Sequence, residues 1–245
     1  MKQVPVVMVL MSRRTAADYY EVFKSTIALL ERVPAMEKLV LDYESALWKA
    51  LNEAFPTAKK SGCCFHFRQA IYRKVQDVGL AAAYLQDESR NQIIRKLMAI
   101  CLLPPTLMRN KFHQMQRKVQ TQGSQKMIRL FDYLQTTWLR NSLWSVENVS
   151  VYGSEVRTNN DIEGRHNRLN KRGRNNMPLY SLIDVLHTES QQVQTTLELI
   201  KQNKLTRHQE KKYVVINRRI FCAWKMYIDG AIDGDELFKE LASFF

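Results

Sequence analysis

Three short apolar runs alternate with two helix-length amphipathic segments in the first 67 residues, and this alternation constrains the fold more than any other feature of the chain. Residues 4–11 have the β-branched density of a buried strand. Residues 16–32 then set Tyr19, Phe23, Ile27 and Leu30 on one stripe at helical spacing. Val40-Leu41-Asp42 reads as a second strand end, residues 45–55 as a helix stopped by Pro56, and residues 62–67 as a third strand. The order β-α-β-α-β predicts an α/β core. Beyond Arg68 the strand signals cease. Residues 69–78, 88–102, 105–120 and 124–139 read as helices, 146–156 as an extended link, and 160–173, 181–209, 213–228 and 236–244 as further helices. The expected class is α/β plus mostly α: a partial α/β core over 1–80, a helical insertion over 81–155 and a helical part over 156–245.

Composition narrows the partners. Apolar residues make up 45% of 245 positions, enough for a packed core rather than a disordered chain. Thirty-seven Lys and Arg against 24 Asp and Glu leave a net charge of +13, the electrostatic footprint of a protein that meets phosphate backbones. DNA is the partner this predicts. A membrane is not expected, because no apolar run approaches the roughly 20 residues that a spanning helix needs. A secretory leader fits poorly too: Pro5 interrupts the short apolar run, and Ser12-Arg13-Arg14-Thr15 makes a poor cleavage site. The four cysteines, Cys63, Cys64, Cys101 and Cys222, are too unevenly spaced for a disulfide framework.

Three clusters of residues carry possible chemistry. Asp42, where a strand hands over to a helix, is either an N-cap or a carboxylate at the C-terminal edge of a sheet, where α/β folds gather ligands. Cys63-x-x-His66 is half of a zinc site by ligand type, and Cys101 and His113 are candidates for the other half. Positions three apart on a strand point to opposite faces, so Cys63 and His66 are not expected to share one metal, and zinc is not expected. The plain alternative is a buried cysteine beside a hydrogen-bonded histidine. The third cluster runs from Arg157 to Asn170. On a helix, Asn159, Glu163, His166 and Asn170 fall on one face, with Ile162 and Leu169 on the adjacent side. A solvated face is the plain reading of that stripe, although Asn is a poor helix former and an idle face would carry Glu, Lys or Gln instead.

Arg68, Arg73 and Lys74 follow the Cys/His pair, while Arg165, Arg168, Lys171, Arg172 and Arg174 surround Glu163. Such clusters suit salt-dependent contact with DNA phosphates, or else form a solvated cationic surface. Asp229-Gly230-x-x-Asp233-Gly234-Asp235 imitates a calcium loop but has Ala231 where an oxygen ligand belongs, so calcium is not expected. Asp233 with Glu236 fits a helix-capping box better.

Taken together, Asp42, Cys63-x-x-His66, Phe65-His66-Phe67-Arg68-Gln69-Ala70 and Thr158-Asn159-Asn160-x-x-Glu163-Gly164-x-His166-Asn167 resemble the second half of a metazoan Mutator-like (MULE) DDE transposase. The resemblance runs from about Val4 to Leu199. It implies an RNase H-like remnant of about three strands, with sheet order 3-2-1-4-5 and this chain beginning at the third strand. It further implies Asp42 and Glu163 as metal-binding acids, with Cys63, His66, Asn159, Asn160, His166 and Asn167 as motif residues. Mg²⁺ or Mn²⁺ is the implied ion. The implied activity is DNA cleavage and strand transfer in the nucleus, by a homo-oligomer with no small-molecule substrate. The family's first Asp lies upstream of the segment that aligns with Met1 to Met11, so the chain is expected to be N-terminally truncated and inactive in strand transfer. Glu44 and Asp161 are not expected to replace that acid. The alternatives are a non-catalytic DNA-binding protein derived from such an enzyme, and a helical interaction module without DNA.

Overall fold

The computed structural model describes residues 3–30, 36–122, 124–158, 164, 169, 177–204 and 211–245. Strands β1 (Lys38–Leu41) and β2 (Lys59–Gly62) pair in parallel, Lys38 opposite Lys59 through Leu41 opposite Gly62. A parallel pair cannot be joined by a tight turn and needs a crossover, which α2 (Ser45–Ala54) supplies by burying Trp48, Ala50 and Leu51. Helix α1 (Ala16–Ala28) starts at a Thr15–Asp18 capping box and packs on α2, with Phe23 set edge-on to Phe55 at 6.0 Å.

Two strand expectations are corrected. Residues 4–11 join no sheet among the described residues, and Val6, Val7, Val9 and Leu10 are exposed. Apolar, β-branched sequence makes a strand only where a neighbour completes the ladder, and the only described neighbour of β1 is β2. The expected sheet of about three strands is therefore a pair in the described residues. The run placed at 62–67 is also displaced. Its strand lies earlier, in the polar stretch Lys59–Gly62, and residues from Cys64 onward are helical.

That polar strand survives burial because its groups find partners. Lys60 Nζ donates to the carbonyls of Phe55 (2.7 Å) and Ala58 (3.2 Å), and Asn148 Nδ2 donates to Lys60 O at 2.8 Å. Buried polar groups are tolerated when paired in this way.

The remainder is helical. Helix α3 (Cys64–Asp77) places Phe67, Ile71 and Val75 at spacings of four, all fully buried, and packs against α5 (Glu88–Ala99) and α7 (Gln125–Leu134). Each such side chain contributes about 1.5–3 kcal/mol relative to exposure. Helix α4 (Ala81–Gln86) precedes α5, a 3-10 turn (Ile100–Leu102) follows it, and α6 (Pro105–Gln122) leads to α7, whose last turn loosens into a π-turn at Gln135–Leu139. The expected link at 146–156 contains a short helix, α8 (Val146–Val149). Helices α9 (Leu179–Lys201), α10 (Lys211–Ile228) and α11 (Gly234–Ala242) complete the fold, α11 starting at the expected Asp233–Glu236 capping box. One buried cluster extends from Leu41 in β1 to Ala242 in α11, and Trp224 Nε1 ties α10 to the 3-10 turn through Leu102 O at 2.9 Å.

Candidate metal and DNA site at the end of β1

The site grows from the last rung of the sheet. Cys63 N–H donates to Leu41 O at 2.7 Å, which seats Cys63 beside the residue that follows β1, Asp42. The strand can close there only because residue 62 is glycine: a Cβ at that position would lie 2.1 Å from Tyr43 Oη. Tyr43 has no room to retreat, being packed against Trp48, Trp138 and Trp144 at ring distances of 6.2, 4.5 and 5.4 Å. The backbone of Asp42 is pinned in turn, its carbonyl accepting from the buried Trp48 Nε1 at 2.7 Å.

Asp42 is not a helix cap. The capping position of α2 belongs to Glu44, whose carboxylate accepts from Tyr19 Oη at 3.0 Å. Cys63 caps α3 by position and His66 is the third residue of that helix. The strand geometry that set Cys63 and His66 on opposite faces therefore does not apply. One helical turn brings them to the same side, and His66 Nδ1 pairs with Asp42 Oδ1 at 2.7 Å. One ligand atom from each of Asp42, Cys63 and His66 lies within 4.8 Å of the other two. Asp42 and His66 are partly exposed, and Cys63 is fully buried.

The next cysteine pairs with a second thiol. Cys64 Sγ lies 3.3 Å from Cys101 Sγ, both thiols free and buried. Hydrogen bonding with Cys101 holds the Cys64 thiol below the usual thiol range, against the opposing effect of burial, with Arg68 and Arg157 adding positive potential. Burial and the neighbouring Cys64 push Cys101 well above the usual thiol range. Cys101 thus belongs to this buried pair, and His113 Nδ1 lies 3.3 Å from Gln116 Oε1, so neither completes a zinc set with Cys63 and His66.

Among the described residues, a main-chain bond ties this corner to Arg157, the first residue of the distant motif. Cys64 N–H, one of the donors that a helix start leaves without an internal partner, donates to Arg157 O at 2.9 Å. Arg157 is itself anchored: its guanidinium donates to Asn217 Oδ1 and to Ser154 O, and stacks over Phe221 and Trp224 at 5.2 and 5.4 Å. The chain that enters the motif at Thr158 thus departs from the first turn of α3. Asn159, Asn160, Glu163, His166 and Asn167, with Arg165, Arg168, Lys171, Arg172 and Arg174, lie outside the described residues.

The basic residues of α3 divide by role. Arg68 stacks its guanidinium over the Phe245 ring at 3.7 Å, and Lys74 pairs with Asp77 at 2.6 Å. Arg73 is exposed. The signal for an earlier helix start was present in the sequence, since Phe67, Ile71 and Val75 repeat every four residues. Nothing in the sequence marked the Cys64–Cys101 pair or the anchoring of Arg157 by Asn217.

Residues 1–70 match the family model of the MULE transposase domain. The matched segment contains Asp42, Cys63 and His66. No curated protein and no solved structure matches the chain. Transposases of this family use divalent metal and act on DNA. Mg²⁺ favours oxygen ligands in octahedral array, and among the described residues Asp42 is the single carboxylate of this site, beside an imidazole and a thiol. The described donors by themselves do not fit Mg²⁺. No helix among the described residues is long and apolar enough to cross a membrane.

Proposed function

We propose that this chain is a MULE-type, transposase-derived protein that acts on DNA, in which Asp42 and Glu163 are two of the metal-binding acids. The observation that carries this reading is Asp42 at the C-terminal end of β1, held by His66 inside the segment that matches the MULE domain. The bond from Cys64 N–H to Arg157 O supports it, because it holds Arg157, the residue that precedes the Thr158–Asn167 motif in sequence, at this corner of the fold. His66 orients the Asp42 carboxylate, and the tryptophan-walled Tyr43 and Gly62 fix the sheet end on which both depend. The net charge of +13 supports DNA as the partner, with Arg73 and the basic residues around Glu163 on its phosphates. A nuclear location and self-association accompany this role.

A second reading, a transposase-derived DNA-binding protein that performs no chemistry, is favoured by the single carboxylate of the described donor set. Nicking of supercoiled plasmid in Mg²⁺ or Mn²⁺ separates the two. Metal-dependent nicking lost in Asp42→Asn and in Glu163→Gln is the result expected of a retained centre. DNA binding without nicking leaves the non-catalytic reading. Neither binding nor nicking overturns both and leaves the helical interaction module.

A further inference from the structure

From the geometry we infer that Asp42, Cys63 and His66 form a binding site for a thiophilic divalent cation of the Zn²⁺ class, which competes for the Asp42 carboxylate with the Mg²⁺ or Mn²⁺ of the family role. Three donors of three kinds converge: a carboxylate, a thiol and an imidazole, each within 4.8 Å of the others. Zinc binds these groups at about 2.0–2.3 Å, so the edges of a tetrahedral site are about 3.3–3.8 Å long. The His66–Asp42 contact of 2.7 Å must open by about half an ångström, and the remaining edges must close by at most about 1.5 Å. Side-chain torsion alone supplies movements of that size.

The surroundings suit such an ion. Cys63 stands at the N-cap position of α3, where its side chain makes no capping hydrogen bond to the helix. Its sulfur is buried, while Asp42 and His66 are partly exposed, so an ion enters from their side and reaches the sulfur last. The backbone of all three ligands is already fixed, by the Cys63–Leu41 rung, by Trp48 on Asp42 O and by the first turn of α3. Thiolate and imidazole select a softer ion than Mg²⁺. With three ligands among the described residues, the fourth position of a tetrahedral ion remains for water or another donor.

Titration of the intact protein with Co²⁺, followed by Zn²⁺ displacement, tests the site without reference to DNA or nicking, so its outcome is separate from that of the proposed function. The expected result is a thiolate-to-cobalt absorption in the near ultraviolet with tetrahedral visible bands, both removed by Zn²⁺. Cys63→Ser is expected to abolish the ultraviolet band. His66→Ala, at a partly exposed position that tolerates truncation, is expected to weaken binding on the order of 100-fold. Cys101→Ser and Cys222→Ser are expected to leave the spectrum unchanged. Absence of the band in the wild-type protein, or its persistence in a folded Cys63→Ser variant, overturns the inference. If Cys63→Ser does not fold, undiminished binding by His66→Ala does the same.

Discussion

Residues 4–11 and residues 59–62 have exchanged the roles that their sequences suggest. The first run is apolar and β-branched, yet Val6, Val7, Val9 and Leu10 are exposed and it joins no sheet among the described residues; the second, Lys59-Lys60-Ser61-Gly62, is polar and forms a strand buried from Lys60 onward. What separates them is partners. β2 has a parallel neighbour in β1 and hydrogen-bond acceptors for Lys60 Nζ, whereas residues 4–11 have no described ladder. Strand formation therefore follows the completed ladder more closely than residue preference, as expected if β-propensity mainly measures fit to a pleated, half-buried surface. The exchange has a functional consequence. Because β2 ends at Gly62, Cys63 and His66 fall on the opening turn of a helix instead of on a strand, and both turn toward Asp42.

Matched truncations in the two regions put the comparison at risk. Leu41→Ala, in the paired strand, is expected to cost about 2–5 kcal/mol in urea unfolding. A cost below about 1 kcal/mol would show that the sheet end is not the fixed platform described. Gly62→Ala is expected to cost about 1–3 kcal/mol, because the added Cβ meets Tyr43 and the three tryptophans leave the ring nowhere to go. The cost should fall sharply when Tyr43→Ala is combined with it, since the hydroxyl and ring carbons of Tyr43, at 2.1–2.5 Å, are the atoms that the Cβ meets; equal costs in the two backgrounds would rule out this clash as the cause. His66→Ala is expected to change stability by less than about 1 kcal/mol, as its pair with Asp42 is partly solvated, even though metal binding suffers. The smallest effect belongs to Val6→Ala, expected within about 0.5 kcal/mol for a side chain 84% exposed. A loss as large as that of Leu41→Ala would mean that residues 4–11 are buried against a partner, restoring the strand that their composition suggests.

Much of the helical part was legible because its signals are local. Pro105 opens α6, Asp233 and Glu236 form the expected capping box, and the apolar stripes of α5, α7 and α10 repeat at helical spacing. The sheet was harder to read, since Lys60 and Ser61 are buried through bonds to Phe55, Ala58 and the Asn148 side chain, contacts that no local pattern announces. Asp42 was recognisable as a sheet-end carboxylate because an apolar run precedes it. Its convergence with Cys63 and His66 was not, because it depends on β2 ending at Gly62 and α3 beginning at Cys64, where the sequence suggests a strand through Phe67. Glu163 and the motif around it rest on the sequence alone.

The central claim, that DNA is the partner of this chain, is tested most directly by fluorescence anisotropy with a labelled duplex over a salt series from about 50 to 200 mM NaCl. The account predicts tight binding at the lowest salt, a fall of at least about tenfold across the series, and a shallower salt slope when Arg165, Arg168 and Arg172 are replaced by Gln. An absence of binding at the lowest salt, or an affinity indifferent to salt, would contradict it.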